Sequence, residues 1–245
     1  YIDVGIAEEH AVTYAAGLAA SGFLPIVCIY STFMQRAFDC IFHDVLLQDL
    51  PVVFCMDRAG LVGPDGPTHH GVFDISMLNI LPNIIIVAPK DGNELSDLLY
   101  TATKIRKPFA IRYPKDSSVN YDPDRSPELL ELGSWEYINK KNSEIVILAL
   151  GSMVNIVCDK LDILEAEIGI PVDLINCRFI KPLDINLLSG ISKNYKFVLT
   201  LEEGSLIGGF GSIVSRFLLE KNIKVTSLGI PDDYIEHGTR KELLD

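Results

Sequence analysis

The strongest constraint on this chain is its rhythm: short apolar runs of strand length alternate with segments whose small and apolar residues recur at helical spacing. The alternation occurs twice. Up to residue 113 it predicts strands at 24–30, 51–56, 84–87 and 109–113, with helices at 9–21, 33–48, 74–81 and 91–104. From residue 145 it resumes, with strands at 145–150, 172–176, 197–201 and 225–228 and helices between them. Runs this continuously apolar are buried on both faces, the mark of a parallel sheet covered by helices. The expected fold is therefore α/β: two doubly wound domains with mainly parallel sheets, at 1–115 and 144–245. Between them, 116–143 holds Pro123, Pro127 and many Asp, Ser, Asn and Lys residues, the composition of a surface linker.

A length of 245 residues suits two domains. The formal charge of −12 opposes attachment to nucleic acid or to an anionic membrane, which need clustered Lys and Arg, so a small-molecule partner is expected. The five cysteines are odd in number and widely spaced, and read as reduced core residues of an intracellular, soluble protein. No apolar run is long enough to span a bilayer. The chain begins at Tyr1-Ile2-Asp3-Val4, without Met or signal peptide and inside what reads as a strand, so it is expected to be part of a longer protein.

Three stretches could carry chemistry. In Gly5-Ile6-Ala7-Glu8-Glu9-His10 two carboxylates open a helix, and favourable charge at its N-terminus would alone explain them. In Tyr30-Ser31-Thr32-Phe33-Met34-Gln35-Arg36 polar and aromatic residues gather after a buried strand, at the sheet edge where open α/β folds bind ligands. The segment 57–71 holds four glycines, two prolines and the pair His69-His70, and a loop this long is usually functional. No acidic or Cys partners recur at ligand spacing, so the histidines suit acid, base or hydrogen-bond roles better than a metal site, and no metal ligand is expected here.

Taken in order, Ala7-Glu8-Glu9-His10-Ala11-Val12-Thr13, Tyr30 to Arg36 and Asp57-Arg58-Ala59-Gly60-Leu61-Val62-Gly63 resemble the 1-deoxy-D-xylulose-5-phosphate synthase family, within the transketolase superfamily. The superfamily shares the Glu and the Asp-Gly-Pro-Thr-His segment, whereas Asp-Arg-Ala-Gly is typical of the synthases. Ile111-Arg112-Tyr113-Pro114, Glu202-Glu203-Gly204 and Gly208 to Ser212 extend the likeness over nearly the whole chain.

The resemblance implies a transferase that uses thiamine diphosphate and Mg2+ to condense pyruvate with glyceraldehyde 3-phosphate, releasing carbon dioxide. It makes Glu8 the catalytic carboxylate facing the cofactor's aminopyrimidine, with Phe33 packed on that ring and Arg36 beside it. Arg58, Arg112 and Tyr30 would hold the substrate phosphate, Asp65 would contact the acceptor, and His69 would exchange a proton with it. A homodimer is implied, in bacterial cytoplasm or a plastid-type organelle. The metal ligands belong to a diphosphate-binding domain that nothing in the sequence matches, so this chain alone is expected to be inactive. The glycines at 208–211 fit no dinucleotide fingerprint and are expected to pack or bridge domains. Two departures from the family stand out: Pro64 where a small residue is frequent, and Lys115-Asp116 where Arg-Gly is common. Competing readings are a transketolase-type or 2-oxoacid dehydrogenase β-type subunit, against which Asp57 to Gly60 argues, and a non-catalytic partner subunit of the same fold.

Overall fold

The structure, a computed structural model, describes residues 1–221 and 223–244. The first unit runs α1 (Glu8–Ala20), β1 (Ile26–Tyr30), α2 (Ser31–Met34), α3 (Phe38–Cys40), β2 (Val53–Asp57), α4 (Asp74–Asn79), β3 (Ile85–Val87), α5 (Gly92–Ile105) and β4 (Phe109–Arg112). Its sheet has the order β1-β2-β4-β3, all parallel. Val53, Phe54, Met56, Phe109, Ala110 and Ile111 are almost wholly buried, which is why these strands read as unbroken apolar runs. Against the sheet α1 turns Val12, Ala15, Ala16 and Ala19, one stripe at helical spacing whose small side chains permit close approach.

The second unit adds β5 (Glu136–Asn139), β6 (Ile145–Ala149), α6 (Met153–Ile168), β7 (Asp173–Asn176), β8 (Phe179–Lys181), α7 (Ile185–Asn194), β9 (Phe197–Ser205), α8 (Phe210–Leu218), β10 (Lys224–Ile230) and α9 (Arg240–Leu244). Its sheet, β10-β9-β6-β7-β5, is parallel except at β5. The two-sheet, mainly parallel α/β architecture is the one the alternation predicts.

Three local expectations need correction. Residues 1–5 form no strand; Asp3 Oδ1 accepts from the Gly5 N–H at 2.8 Å, and Gly5 turns the backbone with a φ of +66°. The segment expected as a linker contains β5, and the stretch before it is fastened to α5: Arg125 grips Asp97 with both terminal nitrogens at 2.7 and 2.9 Å, and Thr101 Oγ1 accepts from the Leu130 N–H. Its polar composition supplies these bonds. Finally, β8 crosses from the second unit and joins the first sheet antiparallel to β3. Three residues are too few to show alternation.

The units share a core. Trp135 packs edge-on against Phe210 with ring centroids 5.8 Å apart, and its Nε1 donates to the Phe179 carbonyl. Glu203, at the end of β9, is a polar counterpart: its carboxylate accepts from the Leu61 N–H at 3.2 Å, Ser152 Oγ at 2.7 Å and Arg240 Nη2 at 2.5 Å.

Its neighbour Glu202 explains the glycines at 208–211. The carboxylate sits at the N-terminus of α8 and accepts from the Phe210 and Gly211 N–H groups at 2.8 and 2.7 Å. A turn that could cradle a phosphate thus holds the chain's own anion. A Cβ at Gly209 would lie 2.1 Å from the Ser205 carbonyl, so only glycine fits. Burial raises the Glu202 pKa, and the two N–H groups oppose that shift. Glu202→Ala leaves both donors unpaired in the interior and is expected to cost about 2 kcal/mol, read as a lower urea midpoint. An unchanged midpoint would remove the cap from the account of α8.

Candidate active site

Glu8 opens α1, but Ala7 holds the N-cap position and no side chain caps the helix. Glu8 turns instead toward Arg36, whose Nη1 donates to Oε1 at 2.8 Å. The carboxylate is largely buried, and its second oxygen has no partner among the described residues. From Arg36 the contacts are continuous. Its guanidinium lies 4.6 Å from the Phe33 centroid; Phe33 stacks on Tyr30 at 5.6 Å and meets His69 edge-on at 5.4 Å; Arg58 lies over the Tyr30 ring at 3.7 Å.

The fold explains why these residues converge. Tyr30 ends β1, Phe33 lies in α2, Arg36 follows in a 3-10 turn, and Arg58 comes directly after β2. All lie beyond the carboxyl ends of parallel strands, where open α/β sheets bind ligands. Arg58 adopts φ +60°, a left-handed conformation that costs a non-glycine residue about 1–3 kcal/mol. Asp57 holds it there, accepting from the Arg58 N–H at 2.7 Å and pairing with its guanidinium.

The loop after Arg58 is closed at its neck. Gly60 and Gly71 exchange N–H···O bonds of 2.8 Å in both directions. A Cβ at Gly71 would come within 2.3 Å of the Arg58 carbonyl and 2.5 Å of Ser31 Oγ, so this close approach requires glycine. Within the loop the two histidines have different surroundings. His70 is buried, accepts the Val62 N–H at Nδ1 and directs Nε2 to the Glu236 carbonyl, which assigns it to loop structure. His69 faces Phe33 and shares a 2.8 Å hydrogen bond between Nδ1 and Thr68 Oγ1, and its Nε2 has no partner among the described residues.

Asp65 pairs with Lys115 at 2.6 Å, and that hydrogen bond, with the charges of Lys115, His69 and Arg58, holds its carboxyl below the usual carboxylate range. Lys115 is a candidate that the sequence reading does not single out; its signal is a basic side chain just after Tyr113-Pro114, at the carboxyl end of β4. Arg112 lies in different surroundings from Lys115. It is 5 % exposed, with Nε donating to Asp74 at 2.9 Å and Nη2 to the Glu203 carbonyl at 2.9 Å. Burial works against its charge, but Asp74 and the two neighbouring glutamates outweigh burial and raise its pKa. Its partners come from two other elements, Asp74 at the start of α4 and Glu203 near the end of β9.

Glu8, Tyr30, Phe33 and Arg36 line one end of a cleft of about 660 Å³ that runs along β1. Among the described residues no group of three or more His, Cys, Asp or Glu could hold a metal, and no helix is long and apolar enough to cross a membrane.

Comparison with known proteins gives the family of the chain. Residues 1–119 match the family described as transketolase, pyrimidine binding domain, and 133–245 match transketolase, C-terminal domain. The chain is 51 % identical to 1-deoxy-D-xylulose-5-phosphate synthase of Syntrophus aciditrophicus (strain SB), covering 99 % of this chain and 37 % of that protein. The synthase of Aquifex aeolicus (strain VF5) is 48 % identical, over 97 % of this chain and 38 % of its own length. The chain thus spans under half of these curated relatives. Among solved structures, a split gene transketolase described as an inactive beta4 tetramer has a TM-score of 0.83 at 29 % identity, covering 94 % of this chain and 75 % of that one. Transketolase from Campylobacter jejuni has a TM-score of 0.74 at 20 % identity, over 99 % of this chain and 37 % of that one, a likeness of fold. The chain belongs to the transketolase family, as the pyrimidine-binding and C-terminal domains of a relative of the 1-deoxy-D-xylulose-5-phosphate synthases.

Proposed function

We propose that this chain is the cofactor-activating part of a thiamine-diphosphate-dependent synthase that condenses pyruvate with glyceraldehyde 3-phosphate to 1-deoxy-D-xylulose 5-phosphate and carbon dioxide, a precursor for isoprenoids. The observation that carries the reading is the unbroken contact series from Glu8 through Arg36, Phe33 and Tyr30 to Arg58, with His69 against Phe33. The identity to several synthases supports it.

The residues fit an aminopyrimidine: a largely buried carboxylate with one free oxygen can bind a ring nitrogen, and an aromatic face lies next to it. Thiamine diphosphate supplies a nucleophilic carbon once its thiazolium proton is lost. Glu8 holds the proton at the pyrimidine ring nitrogen, and Arg36 keeps the carboxylate oriented. Phe33 provides the packing surface and excludes water. His69 Nε2 exchanges a proton with the acceptor's carbonyl oxygen as that oxygen gains charge. Arg58 receives the phosphate, with Tyr30 beneath its guanidinium. Lys115 replaces Arg112 in this role, and orients Asp65 toward the acceptor hydroxyl. The Mg2+ ligands come from the diphosphate-binding domain, and the working form is a homodimer. The inactive split-gene relative supports the expectation that this chain alone has no turnover.

The test combines the chain with a diphosphate-binding domain, thiamine diphosphate, Mg2+, pyruvate and glyceraldehyde 3-phosphate. Deoxyxylulose phosphate and carbon dioxide should form, whereas ribose 5-phosphate with xylulose 5-phosphate should give nothing. The reverse pattern would identify a transketolase instead. Lys115→Ala in that assembly is expected to raise KM for glyceraldehyde 3-phosphate about tenfold while the pyruvate KM holds, since one charge-assisted contact to phosphate is lost. An equal rise for both substrates would mean that Lys115 does not read the phosphate.

A further inference from the structure

After β10 the chain turns back over the loop that follows β2, and the two come close at several points. The Glu236 carbonyl meets His70 Nε2 at 3.4 Å. A Cβ at Gly66 would lie 3.3 Å from His237 Cβ, and one at Gly63 would lie 3.1 Å from the Arg240 backbone nitrogen. Both glycines have positive φ, and their lack of a side chain lets the segment approach the turn at Gly63–Asp65. Alongside, Leu61, Val72 and Ile230 form a small core with Ile235, Leu243 and Leu244 packed on it.

One side chain ties this segment to two loops. Arg240 Nη2 donates to Glu203 Oε2 at 2.5 Å and to Ser152 Oγ at 3.2 Å, Nε to Glu203 Oε1 at 3.3 Å, and Nη1 to Asp116 Oδ2 at 3.0 Å. Glu203 Oε1 in turn accepts from the N–H of Leu61, three residues after Arg58. Asp116 adjoins Lys115, which pairs with Asp65. Both arms of this circuit therefore end on the loop 57–71, one near its start and one near its tip. A planar guanidinium can serve several acceptors in fixed directions at once, which an ammonium cannot. The side chain is not spent on holding its own segment. Thr239 Oγ1 accepts from the Glu242 N–H and the Glu242 carboxylate from the Thr239 N–H, a reciprocal cap that starts α9 without Arg240.

We propose that Arg240 is a positioning residue for the acceptor half of the site: through Glu203 and Asp116 it fixes the loop that carries Arg58, Asp65 and His69. The inference rests on the reading of those three residues as acceptor contacts. Glu8 and Arg36 have no hydrogen bond to this circuit among the described residues, so activation of the cofactor should not depend on it.

The experiment compares Arg240→Ala and Asp116→Ala with the parental chain in the assembly with its diphosphate-binding domain, thiamine diphosphate and Mg2+, with a melting curve for each. In Arg240→Ala, kcat/KM for glyceraldehyde 3-phosphate is expected to fall about tenfold, while the pyruvate KM and exchange of the cofactor's thiazolium proton hold. Asp116→Ala cuts one arm only; it should fall less and add little when combined with Arg240→Ala, because the two residues act together. Asp116 is exposed, so its variant carries the test should Arg240→Ala not fold. Arg240→Lys keeps a charge beside Glu203 and should recover part of the loss. Amide hydrogen exchange on the same proteins should show lost protection in the loop 57–71 of Arg240→Ala. An equal decline for both substrates would overturn the proposal, since general loosening of the fold would do the same. So would unchanged loop protection, or parental acceptor kinetics in a variant whose loop has loosened. A parental assembly that does not use glyceraldehyde 3-phosphate would instead sink the functional reading, and hydrogen exchange would still decide whether Arg240 holds the loop.

Discussion

Glu8→Gln is expected to abolish exchange of the cofactor's thiazolium proton, lowering its rate by about 10²–10⁴, the usual worth of a positioned acid–base group. Glutamine preserves the shape, and its amide oxygen can still accept from Arg36 Nη1, now 2.8 Å from Glu8 Oε1. What it removes is a carboxylate able to share a proton with the pyrimidine nitrogen. The check is proton–deuteron exchange followed by magnetic resonance on the assembly with its diphosphate-binding domain, beside a melting curve. Exchange at the parental rate in a normally folded variant would return Glu8 to the role of a favourable charge at a helix N-terminus. Arg36→Lys serves as a companion: it keeps the charge and loses the planar contact over Phe33, so a smaller decline is expected.

The second large effect concerns stability. Arg112→Met is expected to destabilise the fold by about 3–5 kcal/mol, because it leaves Asp74 as an uncompensated charge in the interior. Asp74 is 2 % exposed and is the hub of a small network: Oδ2 accepts from Arg112 Nε and from Ser31 Oγ at 3.0 Å, and Oδ1 from the Ile75 N–H at 2.8 Å. Ser31 begins α2, which carries Phe33, and Arg112 also reaches the Glu203 carbonyl. Loss of Arg112 should therefore loosen both α2 and the contact with β9. Guanidinium unfolding reads the loss directly. A variant with parental stability and a raised KM confined to the phosphorylated substrate would restore Arg112 to the phosphate site and remove Lys115 from it. Replacing Arg112 and Asp74 together by apolar residues should recover much of the stability, since neither charge is then left alone.

The contrast between these two residues marks the limit of what the sequence could reveal. The contact of Glu8 with Arg36 was open to expectation because Ala7 to Thr13 form a recognisable pattern in the chain, and because Phe33 and Arg36 lie a turn apart on a segment that had to follow a buried strand. Arg112 carries an equally recognisable pattern, yet whether its side chain faces ligand or core depends on the pleat of β4 and on Asp74 arriving from another element. Lys115 was visible only as a departure from the family. Its meaning came from Asp65 on a loop folded back over the same edge.

The sequence by itself determined the elements that are locally encoded: the parallel strands that are apolar on both faces, the helices between them, the long glycine-rich excursion after β2, and the family to which they belong. Hydrophobic periodicity and turn chemistry act over a few residues, so a reader of the chain can see them. Only the tertiary structure decided that β8 leaves its own unit to extend the first sheet, that the glycines at 208–211 wrap the chain's own Glu202, that His70 is bonded within its loop while His69 packs against Phe33, and that Cys28 and Cys55 share a register. Each of these depends on groups far apart in sequence meeting in a packed interior. Buried hydrogen-bonding groups must find partners there, and the partner that is found fixes what a residue can do.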